Sequence, residues 1–185
     1  MSLTHKGTAV IQTERLVLRR FTREDANDMF NNWANDERVT KYLRWMPHQS
    51  VDITKDIIDG WVCGYQRDNC YNWAIEYDNK VIGNISVIKS SERYEKADIG
   101  YVIGCKWWNK GFVTEAVKAV IAVLFNEVGI VRISACHDTR NPASGKVMKK
   151  SGMLYEGTLI KACKNNKNNV FCDLACYAII RDNVE

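Results

Sequence analysis

Residues 107–116 read WWNKGFVTEA. Two tryptophans and a polar pair run into a lone Gly111, and a long apolar helix begins directly after it. The free N–H groups of a first helical turn, together with the positive end of the helix dipole, form a cradle for an anion. Gly111 lets the backbone approach that anion with no Cβ in the way. A plain strand-to-helix turn would be spelled the same way, so the loop alone leaves both readings open. Two phosphate loops are excluded. A Walker loop requires G-x-x-x-x-G-K-[ST], and here Lys110 precedes the glycine with no Gly-Lys-Ser/Thr after it. A dinucleotide fingerprint requires G-x-G-x-x-G, and the loop holds one glycine.

Downstream of the loop, Val113, Ala116, Val117, Val120, Ile121, Leu124 and Val128 fall on one helical face. Ala119, Val123 and Phe125 widen that face, so this helix is expected to lie deep against a sheet, with Gly129 ending it. Upstream, KADIGYVIG (96–104) reads as a strand, and YNWAIEY (71–77) with KVIGNISVIK (80–89) flank Asp78-Asn79 as a hairpin. RLVLRRF (15–21) is a first strand. TREDANDMFNNWAND (22–36) is a helix capped by Thr22, and SVDITKDIIDGWVCGY (50–65) a second, capped by Ser50. After the long helix come the strand VRISACH (131–137) and a short helix in NPASGKVMKKSG (141–152), with Asn141 as cap and Pro142 at its first position. MLYEGTLIKA (153–162) and VFCDLACYAII (170–180) are the last strands, joined by CKNNKNN (163–169). The order β-α-α-β-β-β-α-β-α-β-β predicts one α/β (α+β) domain over 1–185, with a mixed sheet of about seven strands and about four helices. Residues 1–12 read as a flexible lead-in.

The chain has 185 residues, 46% hydrophobic and 26% charged, enough for a real core in one domain. A net charge of +4 is too mild to imply nucleic acid and suits a phosphate-bearing ligand. The seven cysteines include no C-x-x-C and the three histidines are scattered, so no metal site is expected. They read as reduced, mostly buried thiols of a cytoplasmic protein. No apolar run approaches the roughly 18 residues of a membrane span, and the first ten residues lack the apolar core of a signal peptide.

Three blocks in order resemble the GNAT superfamily of acetyl-CoA-dependent N-acetyltransferases: TERLVLRRFTREDA, ADIGYVIGCKWWNKGFVTEA and NPASGKVMKKSGMLYEGTL. The W-x-K-G-x-x-T-E-A and N-x-x-S spellings are similar to the ribosomal-protein N-terminal acetyltransferase branch (RimJ/RimL-like). The resemblance spans about residues 13–182. It implies a mostly antiparallel sheet, acetyl-CoA as donor, and a Q/R-x-x-G-x-G/A pyrophosphate loop. That loop falls on Trp108, Asn109, Lys110, Gly111, Phe112 and Val113, with Thr114 beginning the helix. Trp108 replaces Gln/Arg and Val113 replaces the small last residue. Because backbone amides do the binding, neither departure is expected to abolish it.

The implied reaction moves an acetyl group from a thioester to an amine. An α-amine has a pKa of about 8 and a lysine about 10.4, so a base must remove a proton. Asp98 is the first candidate base, in the family's A-E/D-I position; strand alternation sets it with Gly100 and Val102, opposite Ile99 and Tyr101. A solvent-facing strand acid is the alternative. Glu76, Glu115 and Asp173 compete, with Glu115 read as a structural helix-start acid. By resemblance, the strand edge at Tyr101, Val102 and Ile103 pairs with pantetheine, and an N–H near Val102 or Ile103 serves the oxyanion. The family's tyrosine acid is replaced by Met148, which cannot donate, leaving Ser144 as the candidate acid. Asn141 is either the helix cap or a pantetheine contact. KYLRWMPH (41–48) falls where the family places an acceptor wall, so Trp45, Met46 and His48 are expected to select the amine, with Asp173 and Tyr177 lining the same groove. The expected acceptor is a protein N-terminal α-amine, such as a ribosomal protein's. A small amine (polyamine, aminoglycoside, amino acid) or a non-catalytic acetyl-CoA-binding module are the alternatives. The edge of the last strands leaves monomer or homodimer open.

Overall fold

The computed structural model describes residues 3–164 and 169–181. Eight strands form one sheet in the order β1-β2-β3-β4-β5-β6-β8-β7. They are β1 (Ile11–Gln12), β2 (Val17–Arg19), β3 (Asn72–Tyr77), β4 (Lys80–Ser91), β5 (Lys96–Ile103), β6 (Arg132–Asp138), β7 (Leu154–Lys164) and β8 (Phe171–Ile180). The helices are α1 (Ala26–Met29), α2 (Glu37–Thr40), α3 (Val51–Gly64), α4 (Phe112–Val123) and α5 (Pro142–Lys150). All neighbouring strands are antiparallel except β5 and β6.

That exception shapes the molecule. β5 and β6 pair only where Lys96, Ala97 and Asp98 face Arg132, Ile133 and Ser134. Beyond Asp98 the two strands part. From Ile99 to Ile103, β5 keeps its partner β4 alone, so one row of its backbone groups faces an opening. Both strands run toward that opening, and each feeds a helix there, α4 after β5 and α5 after β6. Two helix N-termini therefore stand at the mouth of one cleft.

Apolar patterning supports both faces. On one, α4, the turn that follows it and α5 bury Val117, Val120, Leu124 and Met148 against Trp73, Ile82 and Ile133. On the other, Phe21, Met29, Trp33 and Ile58 pack on Ala74 and Val81. Burying each large apolar side chain contributes about 1.5–3 kcal/mol. The Asp78-Asn79 turn has φ of 51° and 54°, the pair of positive angles that a two-residue hairpin requires. Gly129 ends the long helix at φ 89°, after a final turn of wider, π-type pitch over Leu124–Val128.

Several expectations need correction. The sheet has eight strands, because Ile11–Gln12 adds a short edge beside β2. The lead-in is held in place from residue 4: Thr4 N donates to Val128 O at 2.9 Å, Gly7 N to Asp68 O at 2.6 Å, and Thr8 is buried. Residues 1–2, most of the CKNNKNN connection and residues 182–185 lie outside the described residues. The single helix expected over 22–36 is a 3₁₀ turn, α1 and a π-type turn in succession. Its polar side chains dock sideways on β4, with Val81 N donating to Asp28 Oδ2 and Asn32 Nδ2 donating to Val81 O. The cysteines are neither mostly buried nor all reduced. Cys163 and Cys172, register partners across β7 and β8, form a disulfide. Cys63 and Cys136 are exposed, and Cys70, Cys105 and Cys176 are half-buried.

Candidate active site

Gly111 sits at the cap position of α4 with φ +81°, a conformation open to glycine and strained for other residues. Trp108, Asn109 and Lys110 are exposed, whereas Phe112 and Val113 turn into the core. The loop is thus open to solvent at 108–110 while Phe112 and Val113 anchor it in the core. Trp108 Nε1 donates to Ile103 O at 3.0 Å, tying the loop to the end of β5.

A clamp from the start of the chain fixes this turn. Arg15 donates from Nη1 to Lys110 O at 3.0 Å and from Nε to Glu115 Oε2 at 2.7 Å. Thr13 Oγ1 and Arg15 N donate to the other carboxylate oxygen at 2.6 and 2.9 Å. Desolvation raises the Glu115 pKa, but the hydrogen bonds from Thr13 and Arg15 outweigh it and hold the carboxyl below its usual range. Glu115 is a structural acid, as its place in T-E-A suggests. Arg15 was not singled out in the sequence, because its partner Glu115 lies 100 positions away and nothing local marks the pair.

Asp98 stands where β5 and β6 part. Ser134 Oγ, its register partner, donates to Asp98 Oδ1. Ala97 and Ile99 pack on the α4 side and Val102 on the α1–α3 side, so Asp98 faces the latter, as alternation predicts. Cys136 and Arg44 lie within electrostatic reach of Asp98 or of one another there: Asp98 raises the Cys136 thiol's pKa and Arg44 lowers it. Cys136 was not singled out in the sequence.

Across the opening, the Tyr101 hydroxyl donates to Ser144 O at 2.9 Å and lies 3.0 Å from Ser144 Oγ. Burial pushes the Tyr101 pKa up, the bond to Ser144 opposing it, so the phenol stays protonated at neutral pH. The tyrosine thus joins β5 to the first turn of α5 by its side chain. Met148 is buried, and no hydroxyl replaces it at that position. Asn141 makes no side-chain cap bond; its carbonyl takes the Ser144 N–H at 3.2 Å. Its side chain is therefore not spent on the helix.

The remaining candidates are dispersed. Glu76 is engaged by Arg19 at 2.6 Å. Asp173 accepts from Lys161 N at 2.7 Å, and its carbonyl from Thr139 N at 3.0 Å, so it fastens the β7–β8 end of the sheet. Tyr177 is buried on the α4–α5 side, stacked on His137 at 5.7 Å. His48 is buried, bonded through Nδ1 to Thr54 Oγ1 at 2.8 Å, with the Trp45 ring at 5.3 Å. Of Trp45, Met46 and His48, Met46 is the exposed one, at 50%. No group of three or more metal-ligating side chains is present among the described residues.

Residues 15–154 match the family model for an acetyltransferase (GNAT) domain. The chain belongs to the GNAT acetyltransferase family. An uncharacterized N-acetyltransferase YoaA of Bacillus subtilis (strain 168) is 34% identical over 152 residues, covering 81% of this chain and 85% of the relative. The ribosomal-protein-serine acetyltransferase of Escherichia coli (strain K12) is 27% identical over 149 residues, covering 80% and 82%. Among solved structures, RimL, a ribosomal L7/L12 alpha-N-protein acetyltransferase in complex with coenzyme A, superposes with a TM-score of 0.85 at 20% identity over 95% of this chain and all of that one. This GNAT protein is thus an acyltransferase, and no described helix is long and apolar enough to cross a membrane.

Proposed function

We propose that this GNAT protein acetylates a protein N-terminal α-amine, with acetyl-CoA as the donor. The observation that carries the reading is the cleft between β5 and β6, with the glycine-capped N-terminus of α4 at its mouth and Asp98 at its vertex. The Trp108–Thr114 segment would hold the pyrophosphate through backbone N–H groups. The free edge of Tyr101, Val102 and Ile103 would receive the pantetheine arm, assisted by the uncommitted Asn141 side chain. A backbone N–H near Val102 or Ile103 would meet the oxyanion, a contribution of about 3 kcal/mol.

Asp98 is the base that accepts a proton from the incoming ammonium. Ser134 holds one of its oxygens, which orients the other toward the α1–α3 side. The amine nitrogen then attacks the thioester carbonyl, and collapse of the tetrahedral adduct expels the coenzyme thiolate. With a thiol pKa of about 8.5, this leaving group needs little help, and Ser144 is the nearby hydroxyl to supply it. Trp45, Met46 and His48 form the proposed acceptor side, the buried His48 acting by shaping it, whereas Tyr177, on the opposite α4–α5 face, and Asp173, bonded at the β7–β8 end, do not line it as the sequence led us to expect. A protein acceptor is supported by the ribosomal-protein acetyltransferases among the relatives. The reading extends to a cytoplasmic monomer or homodimer acting without a metal.

The experiment is intact-mass detection of acetylation with acetyl-CoA, across peptides beginning Ala, Ser, Thr and Met, spermidine and an aminoglycoside. A gain of one acetyl group at a peptide α-amine is the expected result. Transfer to the small amines alone would overturn the protein-acceptor reading.

A further inference from the structure

Cys136 and Cys176 are register partners on the antiparallel strands β6 and β8, and Cys136 Sγ donates to Cys176 Sγ at 2.7 Å. Directly opposed strand residues have Cα atoms about 4.5–5.5 Å apart, inside the range of about 4.4–6.8 Å that a disulfide spans. The two strands need not move for the sulfurs to bond. The next strand pair supplies a comparison: Cys163 and Cys172, register partners on β7 and β8, are already joined.

The position of the pair gives it consequence. Cys136 shares its face of β6 with Ser134, which holds Asp98. It is exposed, and it feels both the Asp98 carboxylate and the Arg44 cation of the 41–48 loop. The dithiol therefore lies within electrostatic reach of the proposed base and of Arg44 in the 41–48 loop.

We propose that Cys136 and Cys176 form a reversible thiol-modification site on the acceptor side of the cleft, closed to a cross-strand disulfide by a low-molecular-weight disulfide such as glutathione disulfide. One protein thiolate attacks the oxidant's S–S bond, forming a mixed disulfide and releasing one glutathione thiolate. The neighbouring protein sulfur, deprotonated, displaces the second glutathione. The protein loses two protons and two electrons, and one glutathione disulfide becomes two glutathiones. Desolvation of its sulfur, the bond to Cys176 and the Asp98 carboxylate push the Cys136 thiol up. The inference goes beyond the acetyl-transfer reading and does not depend on the acceptor.

The test is peptide mapping by mass spectrometry of the full chain after incubation with glutathione disulfide, without reduction. The expected result is a cross-linked pair of peptides containing Cys136 and Cys176, lighter by two hydrogens and reversed by dithiothreitol. Exposed Cys63, modified by glutathione, shows that the oxidant acted. In Cys176→Ser the cross-link is lost and Cys136 carries glutathione. Recovery of Cys136 and Cys176 as free thiols, or as two separate glutathione adducts, while Cys63 is modified would overturn the proposal. Circular dichroism of the oxidised protein confirms that the pair closed in the folded state; a lost native spectrum would overturn it equally.

Discussion

Arg15 and Glu115 stand 100 positions apart in the chain and meet at 2.7 Å beside the glycine that caps α4. The same guanidinium reaches Lys110 O, so one arginine braces the loop from its strand side and from its helix side. In Glu115→Ala the Thr13 hydroxyl and the Arg15 N–H lose their acceptor. Such losses cost about 1–3 kcal/mol, with the Arg15 share reduced by its partial exposure. The expected outcome is a lower urea midpoint and coenzyme A affinity weakened roughly tenfold, or ~1.4 kcal/mol. Isothermal titration with coenzyme A checks it; unchanged affinity would show that the clamp serves stability alone.

Gly111 and Gly104 make a contrasting pair. At Gly111 a Cβ would lie 3.4 Å from Arg15 Nη2, so space is not the obstacle, but φ is +81°. Gly111→Ala is expected to cost about 1 kcal/mol in backbone strain and to lower coenzyme affinity more than stability. At Gly104 a Cβ would come within 2.9 Å of the buried Trp107 ring and closer still to Asn32 O. Neither can give way, so Gly104→Ala is expected to cost about 1–3 kcal/mol or more as overpacking. Paired urea titrations should rank Gly104→Ala as the more damaging; the reverse order would defeat this account.

The sequence announced α4 and its loop because their signals are local: apolar spacing, a glycine at each end and an acid in the first turn. The Asp78-Asn79 hairpin and the Ser50 cap were legible for the same reason. The parting of β5 and β6 was not. Ile99 to Ile103 carry the same alternation whether β5 has one neighbour or two, so nothing in the spelling marks the cleft. The face of Asp98 followed from alternation, but its bond to Ser134 needed the parallel register. Tyr177 illustrates the limit. Its strand was evident, yet only the pairing with Ala135 assigns it to the buried α4–α5 side. Asn141 looked like an ideal cap, and its unused side chain emerged only from the geometry.

Asp98 and Ser134 should separate by the size of their effects. As the proposed base, Asp98 is expected to lose about 10²-fold or more in turnover on substitution by Asn, with coenzyme affinity unchanged. Ser134→Ala removes only the bond that orients the carboxylate, and a several-fold loss is expected. Steady-state kinetics on the best peptide from the acceptor panel decides this. A loss below about tenfold in Asp98→Asn would remove it as the base and leave Ser134 holding a structural carboxylate.

His48 makes the acid side of the stability profile testable. Burial lowers its pKa in the fold, while in the unfolded chain it returns to about 6.5. Below that value the unfolded state binds more protons at this position than the native state does. Stability is therefore full above about pH 6.5 and declines as pH falls through the depressed native pKa. Nδ1 is engaged with Thr54 Oγ1 and the Trp45 ring lies alongside, so protonation places a charge in a site with little access to water. His48→Gln, of similar polarity and without a titrating ring, should flatten the fall in urea midpoint between pH 7 and pH 5 while leaving the steeper carboxylate-driven loss below it. Asp36, Asp138 and Glu115 all have depressed pKa values, so their contribution fades only at lower pH by the same reasoning. Identical slopes for His48→Gln and the parent chain from pH 7 to pH 5 would show that the ring is solvated enough to accept its proton freely.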